Sequence, residues 1–126
     1  MATTVKEMLA AAQAVVPRIA PQEARGLLER GEAVAVDVRD AAEVAASGKV
    51  AGAVHVPRGM LEFRADPTAP SHDKALRPDK TVIVYCASGG RSALAGKTLL
   101  EMGYKDVRNL GGFKDWAEAG LPVDRV

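Results

Sequence analysis

The residues best suited to chemistry are a single cysteine and the short polar run that follows it. Cys86 ends the apolar segment TVIVYC, and the sequence ASGGRS comes directly after it at residues 87–92. The residues beyond this run carry apolar side chains at three- and four-residue spacing, which predicts a helix that stops at Gly103. The sequence therefore predicts a strand, a tight loop and a helix, with Cys86 at the start of the loop.

A loop in this position can bind an anion. Backbone N–H groups at a helix start have no partner within the helix, and the positive end of the helix dipole lies behind them. These groups and Arg91 favour the thiolate, so we expect a lowered pKa and nucleophilic character at Cys86. The predicted anion-binding loop comprises Ala87, Ser88, Gly89, Gly90, Arg91 and Ser92. The alternative, an inert core cysteine, does not account for two following glycines and an arginine.

Composition narrows the class of protein. The chain has 126 residues, of which 48% are hydrophobic and 26% charged, as in a single globular domain. A net charge of +1 argues against nucleic acid or an anionic membrane as partner, and no apolar run is long enough to span a bilayer. Lys6 and Glu7 interrupt the first apolar stretch, so we expect residues 1–16 to be mature protein. One cysteine excludes an internal disulfide and fits a cytoplasmic protein.

The rest of the chain predicts helices and strands that position the loop. Helices are predicted at 4–15, 21–30, 41–47 and 113–119, a helical turn at 60–64, strands at 33–38, 53–56 and 107–110, and turns at 48–52 and 111–112. The run AVAVDV is typical of a strand buried on both faces of a parallel sheet. We therefore expect an α/β fold with a mostly parallel central sheet, helices on both faces, and the Cys86 loop at the carboxyl end of the middle strand. Residues 1–16 are expected to form an N-terminal helical extension that does not contribute to the cysteine loop. Residues 17–126 are expected to form the main domain.

Charged side chains follow two of these strands. Asp37 and Arg39 end the strand at 33–38, and Glu43 lies four residues after Arg39, within its reach. Ligand sites of α/β proteins lie at the carboxyl ends of strands, so Arg39 and Glu43 are candidate substrate contacts and Asp37 a candidate support. A structural ion-pair network is an equally good interpretation, and the two can coexist. Arg58 leaves the sheet at the same end and is predicted to line the pocket.

Four segments in order resemble the single-domain rhodanese-like sulfurtransferases. They are DVRD with Glu43 after it, GKVAGAVHVP, CASGGRS and NLGGFKDWAEAGLPV, at 37–40, 48–57, 86–92 and 109–123. The segment VPRGMLEF at 56–63, joined to the cysteine loop, is similar to the branch associated with polysulfide sulfur transfer. The resemblance implies a rhodanese-like three-layer domain. It also implies a pocket lined by Arg91, Arg39, Glu43 and Arg58.

The resemblance implies sulfur transfer by double displacement. The Cys86 thiolate would take the outer sulfur of thiosulfate, a polysulfide or a persulfide, and a thiol, cyanide or a protein cysteine would then accept it. The expected partners are therefore a small anionic sulfur donor and one of these acceptors. No cofactor is needed, and one cysteine with two histidines at no ligand spacing predicts no metal site. The amphipathic helix at 4–15 adds the hypothesis of a homodimer.

Two alternatives stay open at this point. Cysteine phosphatases and arsenate reductases also place a thiolate in an anion loop, but five residues separate their cysteine from the arginine, whereas four separate Cys86 from Arg91. No aspartate is clearly placed as their general acid. Rhodanese folds also serve as binding modules, and a protein-to-protein persulfide carrier would use the same residues. The retained cysteine favours the enzyme.

Overall fold

The computed structural model describes residues 2–125. The helices are α1 (Val5–Val15), α2 (Pro21–Glu29), α3 (Ala41–Ser47), α4 (Leu61–Ala65, after a 3₁₀ turn at Arg58–Met60), α5 (Gly90–Glu101) and α6 (Phe113–Glu118). The strands are β1 (Ala33–Asp37), β2 (Lys49–Val50), β3 (Val54–His55), β4 (Thr81–Cys86), β5 (Val107–Gly112) and β6 (Val123–Asp124). In this part of the chain, no helix has the length and apolar character needed to cross a membrane.

The central sheet has four parallel strands in the order β3-β1-β4-β5. Successive side chains of a strand point to opposite faces, and β4 shows this clearly. Val82 and Val84 pack in one core cluster with α4 and α5, whereas Ile83 and Tyr85 pack in a second cluster with α2 and α6. The predicted α/β fold with helices on both faces is therefore confirmed, and Cys86 ends an interior strand.

The N-terminal helix α1 packs on this domain. It begins with a capping box, in which Glu7 N–H donates to Thr4 Oγ1 at 3.2 Å and Thr4 N–H donates to Glu7 Oε1 at 3.0 Å. Ala12 and Val16 are buried, and Val16 lies so close to Gly96 of α5 that a Cβ there would come within 2.9 Å of it. Because these residues join the core, the division into segments 1–16 and 17–126 stays a prediction.

One predicted turn is partly wrong and another is wrong. Within residues 48–52, Lys49–Val50 form β2, which pairs antiparallel with β6 near the other end of the chain, and only residues 51–52 form a turn. Gly111 and Gly112 continue β5 rather than forming a turn, and Gly112 pairs with Cys86 across the sheet. This extension places the backbone of β5 against the loop that follows Cys86.

Candidate active site

The loop after β4 folds back over the Cys86 sulfur. Gly89 N–H donates to Sγ at 3.0 Å, and Ser92 Oγ lies 3.4 Å from Sγ. The tight turn depends on Gly89, whose φ of +103° is rare for residues with a Cβ. Helix α5 begins at Gly90, within the predicted loop, and the N–H of Ser92 in its first turn is directed at the sulfur.

The Cys86 thiol has a lowered pKa, as the sequence predicts. Burial alone raises this pKa, but hydrogen bonds to the sulfur outweigh it: from the Ser92 hydroxyl first, then from the backbone N–H groups of Ser92, Gly89 and Ser88. The thiolate is thus stabilised by the loop itself. Such a group is a nucleophile poised for attack on an electrophilic atom.

Asn109 of β5 holds both sides of this loop. Its Oδ1 accepts from Ser92 Oγ at 2.8 Å and from Gly111 N–H at 2.9 Å, and its Nδ2 donates to the Gly89 carbonyl at 3.3 Å. Asn109 is buried, with 3% of its surface exposed. Sequence reasoning did not place Asn109 in the site, because its role depends on β5 lying beside β4.

The Ser92 hydroxyl has a single hydrogen and two neighbours that compete for it. With Cys86 protonated, the hydroxyl donates to Asn109 and the thiol can donate to Ser92 Oγ. When the thiol ionises, the hydroxyl can rotate towards the sulfur, while Asn109 Oδ1 keeps its bond from Gly111 N–H. Ser92 therefore stabilises the thiolate specifically.

Ser92→Ala is expected to raise the pKa of Cys86 because it removes this donor. A higher pKa leaves less thiolate at neutral pH, so the alkylation rate with iodoacetamide should fall and its pH profile should move to higher pH. Ser88→Ala is the matched control, since Ser88 acts through a backbone N–H that alanine keeps. Superimposable profiles for Ser92→Ala and the wild-type protein would show that the hydroxyl does not tune the thiolate.

Arg91 and Glu43 form a bidentate ion pair at the rim of the loop. Arg91 Nη1 and Nη2 donate to the two carboxylate oxygens at 2.7 and 3.0 Å. These hydrogen bonds lower the pKa of Glu43 to about 2 and raise the pKa of Arg91. The predicted contact between Glu43 and Arg39 is not formed, since Glu43 turns to Arg91 and caps α3 through the N–H of Asp40. The positive charge of Arg91 is therefore offset.

Arg39 takes part in a buried hydrogen-bond network, and its contact with substrate stays a prediction. Its guanidinium donates to the Asp37 carboxylate at 2.7 to 3.1 Å, to the Gly48 carbonyl at 2.6 Å and to Ser47 Oγ at 2.8 Å. It also lies 4.5 Å from the ring centroid of Phe113. Both Arg39 and Asp37 are buried. The geometry supports the structural interpretation of this pair, which connects β1 to the C-terminal end of α3.

Arg58 is also placed away from the loop. Its guanidinium donates to the Glu62 carboxylate at 3.1 and 3.2 Å and to Thr98 Oγ1 at 3.1 Å. Thr98 lies about two helical turns beyond Gly90, where α5 begins. The pocket role of Arg58 stays a prediction, since these partners hold its guanidinium beside α5 rather than at the cysteine loop.

A cleft of about 580 Å³ opens beside the loop. Its lining residues come from α1, the segment after it, the loop and β5: Leu9, Gln13, Val16, Pro17, Arg18, Ser88, Gly89, Gly90 and Asn109. Helix α1 thus forms one wall of the site, contrary to the expectation that it lies outside what the loop needs. Within residues 2–125, no group of three or more His, Cys, Asp or Glu side chains is placed to hold a metal ion.

The arrangement of a strand, a cysteine loop and a helix has close relatives. The family model for the rhodanese-like domain matches residues 20–119. The chain belongs to the rhodanese-like family. This rhodanese-like chain is 34% identical over 98 residues to a sulfurtransferase of Allochromatium vinosum, covering 77% of this chain and 83% of the relative. It is 34% identical over 108 residues to the thiosulfate sulfurtransferase GlpE of Haemophilus influenzae, covering 84% of this chain and 92% of the relative.

Solved structures also share the fold of this chain. The polysulfide-sulfur transferase homodimer of Wolinella succinogenes superimposes with a TM-score of 0.76 at 39% identity, covering 96% of this chain and 87% of that one. A Rhodopseudomonas palustris protein of unknown function, described as a possible tyrosine phosphatase, superimposes with a TM-score of 0.89 at 38% identity. The match covers 98% of this chain and 96% of that one. The two sequence relatives and the Wolinella structure identify the chain as a sulfurtransferase of the rhodanese type.

Proposed function

We propose that this sulfurtransferase carries sulfur on Cys86 as a persulfide. The thiolate attacks the outer sulfur of thiosulfate, a polysulfide or a persulfide. A bond forms between Sγ and that sulfur, the bond to the rest of the donor breaks, and sulfite or a shortened sulfide leaves with the electron pair. The observation that carries this proposal is the Cys86 sulfur of lowered pKa, held 3.0 Å from Gly89 N–H inside a loop of converging backbone donors.

The same loop is suited to the intermediate. The persulfide places its negative charge among the N–H groups of residues 87–92, at the positive end of α5, and the Arg91–Glu43 pair forms the rim. A thiol, cyanide or a protein cysteine then takes the outer sulfur, with no cofactor in the reaction. Because Cys86 must stay reduced to act, we place this chemistry in the cytoplasm.

The geometry favours sulfur over phosphate as the group transferred. A phosphatase needs its loop arginine to bind the phosphate, whereas both terminal nitrogens of Arg91 donate to Glu43. Four residues between Cys86 and Arg91 also make a smaller ring than five. A loop of this size suits one sulfur atom on the cysteine.

Steady-state kinetics test this function. With thiosulfate or polysulfide as donor and cyanide as acceptor, we expect parallel double-reciprocal lines, since the donor product leaves before the acceptor reacts. The donor with the higher kcat/KM identifies the preferred sulfur source. Hydrolysis of p-nitrophenyl phosphate without any sulfur transfer would instead support the phosphatase alternative. Inactivity in both assays would favour a binding module or a protein-to-protein carrier.

We also propose a homodimer formed through α1. Val5, Met8 and Val15 lie on one side of this helix with 63%, 46% and 51% of their surfaces exposed. The Wolinella relative that spans α1 as well is a homodimer. Light scattering should give twice the chain mass of 13.2 kDa, and the double variant Val5→Glu/Val15→Glu should give the single mass. A monomer mass for the wild-type protein at high concentration would contradict this proposal.

A further inference from the structure

Three arginines lie near the cysteine loop, and they differ in whether a carboxylate pairs with them. Arg91 is paired with Glu43 and Arg39 with Asp37. Within residues 2–125, no carboxylate lies within 4.0 Å of the Arg18 guanidinium. Its one hydrogen bond is a long contact of 3.5 Å from Nη2 to the Leu110 carbonyl. Arg18 therefore offers an available positive charge beside the site.

The backbone fixes Arg18 against the catalytic loop. Arg18 forms a parallel β-bridge with Asn109, in which Asn109 N–H donates to the Pro17 carbonyl at 2.8 Å. Its guanidinium lies over Gly111, where a Cβ would collide with it. Gly89 of the loop also contacts Gly111, since a Cβ on Gly89 would come within 3.4 Å of Gly111 Cα. The guanidinium and the cysteine loop thus flank the same glycine.

The cleft that contains Arg18 is larger than an inorganic sulfur donor requires. At about 580 Å³ it lies in the range of sites for small organic molecules. Its walls are mixed, with Leu9, Val16 and Pro17 on the apolar side and Gln13 and Arg18 among the polar groups. A molecule that fits it would be amphipathic, of the size of a short peptide, with an anionic group for the guanidinium.

We propose that this cleft binds the sulfur acceptor as a low-molecular-weight thiol that carries a carboxylate, and that Arg18 pairs with this carboxylate. The inference rests on the proposed Cys86 persulfide. The acceptor thiolate attacks the outer sulfur, a new S–S bond forms, and the bond to Sγ breaks with its electron pair returning to Cys86. The acceptor leaves as a persulfide anion. Because two anions must approach one another, a guanidinium that binds the carboxylate in a planar fork favours the encounter.

Arg18→Gln tests the assignment with two acceptors. Glutathione carries two carboxylates, and 2-mercaptoethanol carries none. With thiosulfate as donor, we expect the KM for glutathione to rise about tenfold or more, as for loss of a hydrogen bond to a charged group. The KM for 2-mercaptoethanol and the rate at which thiosulfate loads Cys86 should stay unchanged. Arg18→Lys should restore part of the loss, and Arg25→Gln on α2, an exposed arginine paired with Glu29, should change none of these values.

A second variant tests the cleft without removing Arg18. Gln13 is exposed on α1 and lines the same cleft, so Gln13→Glu adds a carboxylate there with little effect on folding. It should raise the KM for glutathione and leave that for 2-mercaptoethanol unchanged. Equal changes for both acceptors, no change for either, or slower thiosulfate loading in Arg18→Gln would overturn the carboxylate subsite while leaving the persulfide function intact. Failure of the wild-type protein to load sulfur would instead overturn the function itself.

Discussion

Gly112→Ala should slow the loading of sulfur onto Cys86 by about a hundredfold. Gly112 pairs with Cys86 across the sheet, and a Cβ at this position would lie 2.5 Å from the Ala87 carbonyl oxygen and 3.6 Å from Ser88 Cα. The obstacle is backbone, so the loop must move away. A displacement of about 1 Å in a catalytic group typically costs about a hundredfold in rate, because the reacting atoms lose alignment.

Single-turnover loading with thiosulfate, quenched and followed by mass, measures this effect. Gly59→Ala is the matched control, since a Cβ there meets nothing within 4 Å. Both variants should keep the wild-type circular dichroism spectrum. Loading of Gly112→Ala at the wild-type rate would mean that contact with β5 does not position the loop.

Arg39→Met should lower the free energy of unfolding by about 3–5 kcal/mol. The substitution keeps an apolar side chain of similar length but leaves the Asp37 carboxylate, which is 0% exposed, without its cation. It also removes the donors to Ser47 and the Gly48 carbonyl. A buried charge without a partner is costly because water cannot solvate it.

Urea denaturation at neutral pH measures the loss. Arg25→Met provides the comparison, because its pair with Glu29 is an exposed i,i+4 pair worth less than about 0.5 kcal/mol. The folded fraction of Arg39→Met should load sulfur at a rate near that of the wild-type protein. A stable Arg39→Met variant that loads sulfur slowly would indicate that Arg39 contacts the substrate.

Local sequence was sufficient to predict the centre of the site. The apolar run that ends at Cys86, the glycines after it and the helical spacing beyond are features of neighbouring residues, and the structure contains the strand, loop and helix that they predict. The lowered pKa of Cys86 follows from the same segment, since its donors are Ser88, Gly89 and Ser92. The parallel sheet follows from apolar strands alternating with helices.

The partners of the charged side chains could not be predicted in the same way. Spacing brought Glu43 within reach of Arg39, but Glu43 binds Arg91 and Arg39 binds Asp37. Long side chains can reach several partners, and the choice depends on which strands are neighbours in the sheet. For the same reason the role of Asn109 could not be predicted, because Asn109 contacts Ser92 only where β5 lies beside β4.

The sequence did not predict the two-residue strand β2 or the cleft beside α1, for a related reason. β2 is too short to show alternation, and its partner β6 lies near the other end of the chain. The cleft exists because Val16 packs beside Gly96 and Arg18 bridges to Asn109. These are contacts between distant segments, which a pattern of neighbouring residues does not encode.

Intact mass after incubation of the reduced protein with thiosulfate or polysulfide tests the persulfide most directly. The expected result is a gain of one sulfur atom, about 32 Da, which cyanide or a thiol removes and which Cys86→Ser does not show. An unchanged mass with both donors, or the same gain in Cys86→Ser, would contradict it.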